Sequence, residues 1–348
     1  YDLGRDRKQG TADKKYAQVL RPAISHVKMK KGNLQLLIKA FISVGFLYLL
    51  IKKIDINSSL KALGNCYFPL AIPAIVLMVS TALALALRLF ILLTSQCRSD
   101  KITYPNILKL TMVGIFFNNF LPTGAGGDIA KVFFLVQGEE KKLLLGSSVF
   151  IDRFLGALTV IAMGCVSSWL TEGIPLRHKV FLSALLIFLL VVTFFFTSRK
   201  TARIFYMGTR KILPAKTMEK LKILYLSFSS YFSAKRAIFC ALIVSFLTQT
   251  VSIVANSIFG FSLVGSGGPN LRLFFTYISL IWTASVIPSL GGLGVREFTY
   301  VYFFSPYMGK DNAAALAILV FLCILIQSVI GGIILLFLHV PSCGEGKK

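Results

Sequence analysis

Ionisable side chains interrupt the most apolar stretches of this sequence. The strongest candidates for a functional role are Arg88, Asp128, Lys131, Asp152, Arg153, Arg272, Arg296 and Glu297. A charged group is costly inside hydrocarbon, so it usually faces a bundle interior or an aqueous cavity and has a function there. Arginine can bind phosphate oxygens through two parallel hydrogen bonds. The carboxylates can neutralise the cations when no anion is bound. We therefore expect six of these residues to bind an anionic lipid group: Arg88, Asp128, Asp152, Arg153, Arg296 and Glu297.

Asp128, Arg296 and Glu297 lie at the ends of two breaks that are rich in proline and glycine. The first break runs from Asn118 to Asp128, and the second runs from Ile287 to Glu297. We expect the turns to depend on Pro122, Gly126, Gly127, Pro288, Gly291, Gly292 and Gly294. A helix that begins directly after such a turn presents free N–H groups, which favour phosphate. Asn118 and Asn119 add polar groups that we expect to line the same cavity.

Structural roles compete with these predictions. Arg88 and the neighbouring residues Asp152 and Arg153 would suit a structural ion pair between helices as well as a transport site. Asp128 is equally suited to capping a helix. The default role of the two asparagines is hydrogen bonding between helices. The sequence leaves these alternatives open.

Composition places these residues in a membrane. Hydrophobic residues make up 55% of the chain and charged residues 15%, with a mean hydropathy of +0.74. A spanning helix needs roughly 18 or more apolar residues. The stretches that qualify are Leu34 to Ile51, Phe68 to Leu93, Leu143 to Leu170, Val180 to Thr197, Ala237 to Val264 and Ala313 to Leu338. The fold class predicted is an all-α polytopic membrane protein with about six full transmembrane helices.

Two further apolar stretches, residues 106–136 and 271–304, contain the breaks. Their arms are short for a core of about 30 Å at about 1.5 Å per residue. Proline and glycine together end a helix. We therefore predict two re-entrant helical hairpins. Because they enter from opposite faces and carry similar breaks, they predict an inverted-topology repeat of the kind that forms transporter sites. Ordinary loops between full spans are the alternative.

The chain has a net charge of +24, and one segment contributes nine of these charges. Residues 198–236 carry ten lysines and arginines against the single acid Glu219. Positive residues concentrate in cytoplasmic loops, so this segment and both termini are predicted to be cytoplasmic, in an inner membrane. Apolar residues at helical spacing in its second half predict an amphipathic helix on the membrane surface. Nucleic acid is not expected as a partner. Residues 1–28 and 341–348 are predicted tails around one membrane domain, residues 29–340.

Recognisable catalytic motifs are absent from the sequence. It has no G-x-S-x-G, H-E-x-x-H or phosphate-binding loop signature. Its six cysteines are scattered and predict neither a disulfide framework nor a metal site. We expect no cofactor, no metal and no enzymatic activity. An intramembrane lipid-modifying enzyme using Asp128, Asp152 or Glu297, and an accessory subunit of such an enzyme, are the competing hypotheses.

The two breaks, together with Ser147 to Arg153, resemble the motifs of the flippase-like family. That family includes the transmembrane region of lysylphosphatidylglycerol synthases. The resemblance covers roughly Met29 to Leu338 and implies translocation of a lipid between leaflets. The implied cargo is an anionic or aminoacylated phospholipid, or a polyprenyl-linked lipid. A soluble aminoacyl-transferase domain follows the membrane part in the synthases but not in this sequence, so we expect that this chain does not make lysyl-lipid alone. A homo-oligomer and a separate lipid-modifying enzyme are the further partners considered.

Overall fold

A computed structural model describes residues 61–96, 102–120, 126–136, 142–197, 228–287 and 292–337. Within these ranges the regular structure is helical. The helices, numbered here in chain order, are α1 (Phe68–Gln96), α2 (Tyr104–Phe120), α3 (Gly126–Val136), α4 (Lys142–Leu170), α5 (Leu176–Thr197), α6 (Lys235–Val264), α7 (Leu271–Ala284), α8 (Val295–Met308) and α9 (Lys310–Phe337). A short 3₁₀ turn, Gly265–Gly267, joins α6 to α7.

Five of the described helices are long and apolar enough to cross a membrane. They are α1, α4, α5, α6 and α9. Each contains at least 18 consecutive residues with few charges, which is the length that a hydrocarbon core of about 30 Å requires. Five of the six predicted spans are therefore found at the predicted places. The sixth, Leu34 to Ile51, lies outside the described residues. The chain is an all-α, multi-pass membrane protein.

The long helices define two ends of the bundle. The end of α1 and the start of α4 meet where Leu89 and Leu93 pack with Leu145, and the segment before α6 joins them through a hydrogen bond from the Tyr231 hydroxyl to the Leu144 carbonyl (3.0 Å). At the opposite end, the Tyr67 amide donates to the Ser262 carbonyl (2.8 Å). We call these the Leu144 end and the Leu170 end.

The four short helices form two antiparallel pairs that start at opposite ends. The beginning of α2 packs at the Leu144 end, where Ile107 contacts the same apolar cluster as Leu145. The beginning of α7 lies at the Leu170 end, where the Ser167 hydroxyl donates to the Arg272 carbonyl (2.8 Å). Helix α8 returns beside α7, with the Tyr277 and Tyr307 hydroxyls 2.9 Å apart. Because a helix rises about 1.5 Å per residue, even the longest of the four extends only about 26 Å.

Close backbone contact holds the first pair together. A Cβ atom on Gly127 of α3 would lie 1.9 Å from the Gly114 carbonyl oxygen of α2. Only a residue without a side chain allows this approach. The α2 backbone is equally close to α9, because a Cβ atom on Gly331 would lie 2.1 Å from the Met112 carbonyl oxygen. The α2–α3 pair is thus fixed against α9 by main-chain packing.

The last residues of the predicted amphipathic segment pack into the bundle. Residues 228–233 are helical, and Phe228 and Tyr231 are buried against Leu92, Ile151 and Leu155. Burial of large aromatic side chains at a helix end anchors that end to its neighbours. The preceding residues 198–227, and the tails 1–28 and 341–348, lie outside the described residues. Their predicted roles stay predictions.

Candidate functional site

Arg88 and Asp152 form a buried ion pair between α1 and α4. The Arg88 Nε donates to Asp152 Oδ1 at 2.6 Å, and both side chains are at most 5% exposed. A second guanidinium nitrogen of Arg88 donates to the Ser245 hydroxyl of α6 at 2.7 Å. Gly156, one turn beyond Asp152, leaves the space that the guanidinium occupies. Three spanning helices therefore meet at Arg88. Its contact with Asp152 is an ion pair between helices, which is one of the alternatives that the sequence left open.

Arg153, the residue after Asp152 on α4, forms an ion pair with Asp128 near the start of α3. The Arg153 Nε lies 2.8 Å from Asp128 Oδ2 and 3.0 Å from Oδ1. Lys131 Nζ lies 3.9 Å from Asp128 Oδ1, one turn further along α3. Asp128 is the third residue of α3, in its first turn, where a carboxylate is favoured by the helix dipole. It is not the N-cap residue that the sequence offered as its alternative role.

These five residues form the charged cluster: Arg88, Asp128, Lys131, Asp152 and Arg153. Asp152 and Arg153 are consecutive on α4 and face different partners, so α4 connects the two ion pairs. Counted with all five side chains ionised, the cluster contains three cations and two carboxylates, a formal excess of one positive charge. Arg153 is its accessible member, with its side chain 44% exposed while that of Arg88 is 4% exposed. Among the described residues, Arg153 donates only through its Nε, so its two terminal nitrogens have no hydrogen-bond partner there.

Asn118 and Asn119 hold the ends of the α2–α3 pair. The Asn118 side-chain oxygen accepts a hydrogen bond from the Gly127 amide at 2.8 Å, which satisfies one of the free N–H groups that begin α3. The Asn119 side-chain amide donates to the Ser328 hydroxyl of α9. Both asparagines therefore act as hydrogen-bonding links between helices in this structure. Their predicted contact with a bound lipid remains a prediction.

Arg296 pairs with its neighbour Glu297. The Arg296 Nε and a terminal nitrogen donate to Glu297 Oε1 at 3.0 and 2.7 Å, and the guanidinium lies 5.9 Å from the centre of the Phe321 ring. Successive residues of a helix point about 100° apart and are usually a poor pair, but these two side chains do pair here. Glu297 bends back toward the helix start, because its Oε2 accepts from the Gly294 amide at 2.7 Å. That bend brings the carboxylate within reach of the long Arg296 side chain.

The second break is described from Gly292 onward. Gly292 and Gly294 have φ values of +81° and +83°. Residues with a side chain rarely adopt these values, so the turn before α8 requires glycine. The structure thus gives a physical reason for these two predicted turn residues and for Gly127. Gly126 is buried at the start of α3. Pro122, Pro288 and Gly291 lie outside the described residues.

The two short-helix pairs reach the same helix at neighbouring levels. Asn119, near the end of α2, contacts Ser328 of α9, and Arg296, at the start of α8, lies over Phe321 of the same helix. The separation of these two contacts in sequence corresponds to about 10 Å along α9. Two breaks that are far apart in sequence are therefore brought together near the middle of one spanning helix.

Several partners in this region were not predicted from the sequence. Ser245, Ser328 and Phe321 have no charge or motif that distinguishes them within apolar runs, although each contacts a predicted residue. The Tyr300 hydroxyl donates to the Asn256 side-chain oxygen at 2.7 Å and links α8 to α6. Small hydroxyl residues in spanning helices are frequent hydrogen-bonding partners. That tendency is the only sequence signal that points to the two serines.

Comparison with known proteins identifies the family. A family model described as the lysylphosphatidylglycerol synthase TM region matches residues 36–332. The chain belongs to this family. The match includes the charged cluster and both breaks, and it covers four of the five described spans in full and most of α9. Neither the comparison with curated proteins nor that with solved structures gives a match.

Family membership agrees with the bundle described above. A lysylphosphatidylglycerol synthase transmembrane region is a lipid-related membrane module, and this chain has the multi-pass helices of such a module. The resemblance inferred from the two breaks is confirmed at the level of the family.

Proposed function

We propose that this protein moves a lipid between the two leaflets of the membrane in which it is embedded. The proposed cargo is an anionic or aminoacylated phospholipid, or a polyprenyl-linked lipid, all of which can present a phosphate. The single observation that carries the proposal is the charged cluster, an excess positive charge held among membrane-length helices. A phosphate would neutralise that charge, and the terminal nitrogens of Arg153 supply the paired donors that bind phosphate oxygens.

The arrangement of the short helices supports this proposal. The α2–α3 and α7–α8 pairs begin at opposite ends of the bundle, and both contact the middle part of α9. Their contacts on α9 are about 10 Å apart. We interpret the α2–α3 and α7–α8 pairs as two re-entrant hairpins of an inverted repeat. In this proposal the domain also contains six full spans. Helices that break near the membrane midplane expose backbone N–H groups and charged side chains there, as many transporter sites do. Such a site binds a polar headgroup while the acyl chains stay in lipid.

Arg296 is proposed as a second phosphate contact. Its side chain is 13% exposed and its charge is balanced by Glu297, whose other oxygen is occupied by the Gly294 amide. A lipid phosphate would compete with Glu297 for the guanidinium, so binding would exchange one anion for another. The exchange allows the headgroup to be released again, because the arginine is never left without a partner. We expect Asp128 to play the same part for Arg153.

The proposal is tested by reconstituting the purified protein into liposomes that contain a fluorescent phosphatidylglycerol in both leaflets. A membrane-impermeant reductant destroys only the outer-leaflet fluorescence. Without protein, about half of the signal should persist, and with protein most of it should be lost as inner-leaflet lipid crosses. If the protected fraction is the same with and without protein, the proposal fails. Recovery of chemically altered lipid would instead support the competing enzyme hypothesis.

A further inference from the structure

A groove on the membrane-facing surface lies between α4 and α7 and is bounded by α6. It has a volume of about 390 Å³. Its lining is almost entirely apolar and includes Thr159, Val166, Leu170, Phe246 and one arginine, Arg272. From Thr159 to Leu170 it follows α4 for about 17 Å. Its size is within the range of sites that bind small ligands.

Arg272 stands at the Leu170 end of this groove. One of its terminal nitrogens lies 3.4 Å from the Leu170 carbonyl oxygen, at the limit of a hydrogen bond. Among the described residues no carboxylate lies within 4.0 Å of its guanidinium. Its remaining donors are exposed beside the apolar groove. The groove thus combines an apolar channel with one cation that lacks a counter-ion in the described part of the chain.

Aromatic residues at the same level mark the membrane–water interface. Trp169 precedes Leu170 and is 56% exposed, and Tyr67, at the same end of the bundle, is 60% exposed. Tryptophan and tyrosine concentrate at the depth of lipid headgroups. Lys179 lies over the Trp169 ring, 5.5 Å from its centre, which adds a second cation at this level. Arg272 is therefore at the depth where lipid phosphates lie, and the groove extends from it toward the hydrocarbon core.

We propose that this groove binds one acyl chain of an anionic phospholipid whose phosphate contacts Arg272. The chain would cover Val166 and Phe246, which are 59% and 52% exposed. Burial of apolar surface stabilises the chain, and the arginine selects an anionic headgroup over a zwitterionic one. The groove's inner end is close to the charged cluster, because Phe246 follows Ser245, the partner of Arg88. The inference deepens the proposed function and rests on it for the lipid class.

The test is native mass spectrometry of the full chain released from mixed micelles of phosphatidylglycerol and phosphatidylcholine. The first variant, Arg272→Gln, removes the charge, and the second, Val166→Trp, fills the groove from an exposed position. Their controls are Arg236→Gln and Val180→Trp, which change an exposed arginine and an exposed valine on other surfaces. Wild type and both controls should retain phosphatidylglycerol preferentially.

Arg272→Gln should reduce that preference about tenfold, the loss expected for one charge-assisted hydrogen bond. Val166→Trp should reduce retention of both lipids. Wild-type retention in either variant, with monodisperse protein, would overturn the groove assignment. The translocation assay is independent of this one: a protein that binds phosphatidylglycerol in the groove but moves no lipid would refute the proposed function alone. A protein that moves lipid while both variants bind normally would refute the groove alone.

Discussion

Arg88 and Arg153 differ in what their surroundings allow them to do. Arg88 is buried and bound by Asp152 and Ser245, so its donors are used by the protein itself. Arg153 is partly exposed, and within the described part of the chain it keeps donors available beyond its contact with Asp128. We therefore propose separate roles for these two arginines: Arg88 holds helices together, and Arg153 binds a ligand. Mutation of each should affect a different property.

Removing one member of the buried pair should destabilise the bundle. Asp152→Ala leaves the Arg88 charge buried without its carboxylate, and such a loss costs about 3–5 kcal/mol. The double variant Arg88→Met, Asp152→Leu replaces the pair by apolar groups and should recover part of that loss. The measurement is the fraction of monodisperse protein after heating in detergent, with the exposed Glu172→Ala as control. Equal stability of Asp152→Ala and wild type would show that the pair contributes nothing.

Arg296 should act on lipid rather than on stability. Its pairing with Glu297 is local, so Arg296→Ala should leave the fold intact while it lowers the rate of anionic lipid translocation about tenfold or more, as for one lost charge-assisted contact. Arg296→Lys should restore only part of the rate, because an ammonium group cannot make the two-pronged contact. The measurement is the rate of lipid translocation in proteoliposomes, with size-exclusion chromatography to check folding. It distinguishes a lipid-binding role of Arg296 from a structural one. A wild-type rate in Arg296→Ala would make this residue purely structural.

At the scale of the helix, the contact of α2 with α3 depends on glycine. The structure leaves 1.9 Å between a Cβ atom on Gly127 and the Gly114 carbonyl oxygen, so even alanine forces the helices apart. Gly127→Ala should cost about 1–3 kcal/mol, as overpacking does, and should slow lipid translocation by displacing Asp128. The matched control is Gly64→Ala, because a Cβ atom there meets nothing within 4 Å. If both variants keep wild-type stability and rate, the close approach of α2 and α3 has no importance.

Helix existence was predictable from sequence, but side-chain pairing was not. Long apolar runs locate spans because hydrocarbon requires every backbone group to be bonded within the helix. The proline and glycine breaks likewise predicted short helices, since those residues end helices. Arg296 shows the limit: its partner depends on the bend of Glu297 toward the Gly294 amide, which is a consequence of the turn geometry. The same holds for Ser245, which becomes a partner of Arg88 only when α6 packs against α1 and α4.

At the scale of the whole molecule, the orientation of the bundle can be tested at its two ends. The positive-inside rule predicts that the Leu144 end, which adjoins the basic segment 198–236, is cytoplasmic. In a variant without native cysteines, Glu172→Cys should react with an impermeant thiol reagent in sealed cells, and Arg236→Cys only after permeabilisation. Thr123→Cys should likewise be reachable only from the inside. If instead Arg236→Cys reacts in sealed cells and Glu172→Cys reacts only after permeabilisation, the topology is the inverse of the predicted one. Each hairpin would then enter the membrane from the opposite side.

The charged cluster is the part of the molecule that we propose meets the lipid headgroup. This role would explain why α4 carries consecutive ionisable residues in an otherwise apolar span, and why the first turn of α3 has a carboxylate beside an arginine. The cluster's formal excess of one positive charge favours a lipid phosphate as its ligand. The accessible Arg153 is therefore the residue on which the proposed function depends most.

The most direct test compares Arg153→Ala with Arg236→Ala in the fluorescent-lipid assay described above. Both variants remove one exposed arginine, but only Arg153 belongs to the charged cluster. We predict that Arg153→Ala slows phosphatidylglycerol translocation about tenfold or more, as for one lost charge-assisted contact, while Arg236→Ala keeps the wild-type rate. Wild-type translocation by folded Arg153→Ala protein, or an equal loss in both variants, would contradict the assignment of the charged cluster as the headgroup site.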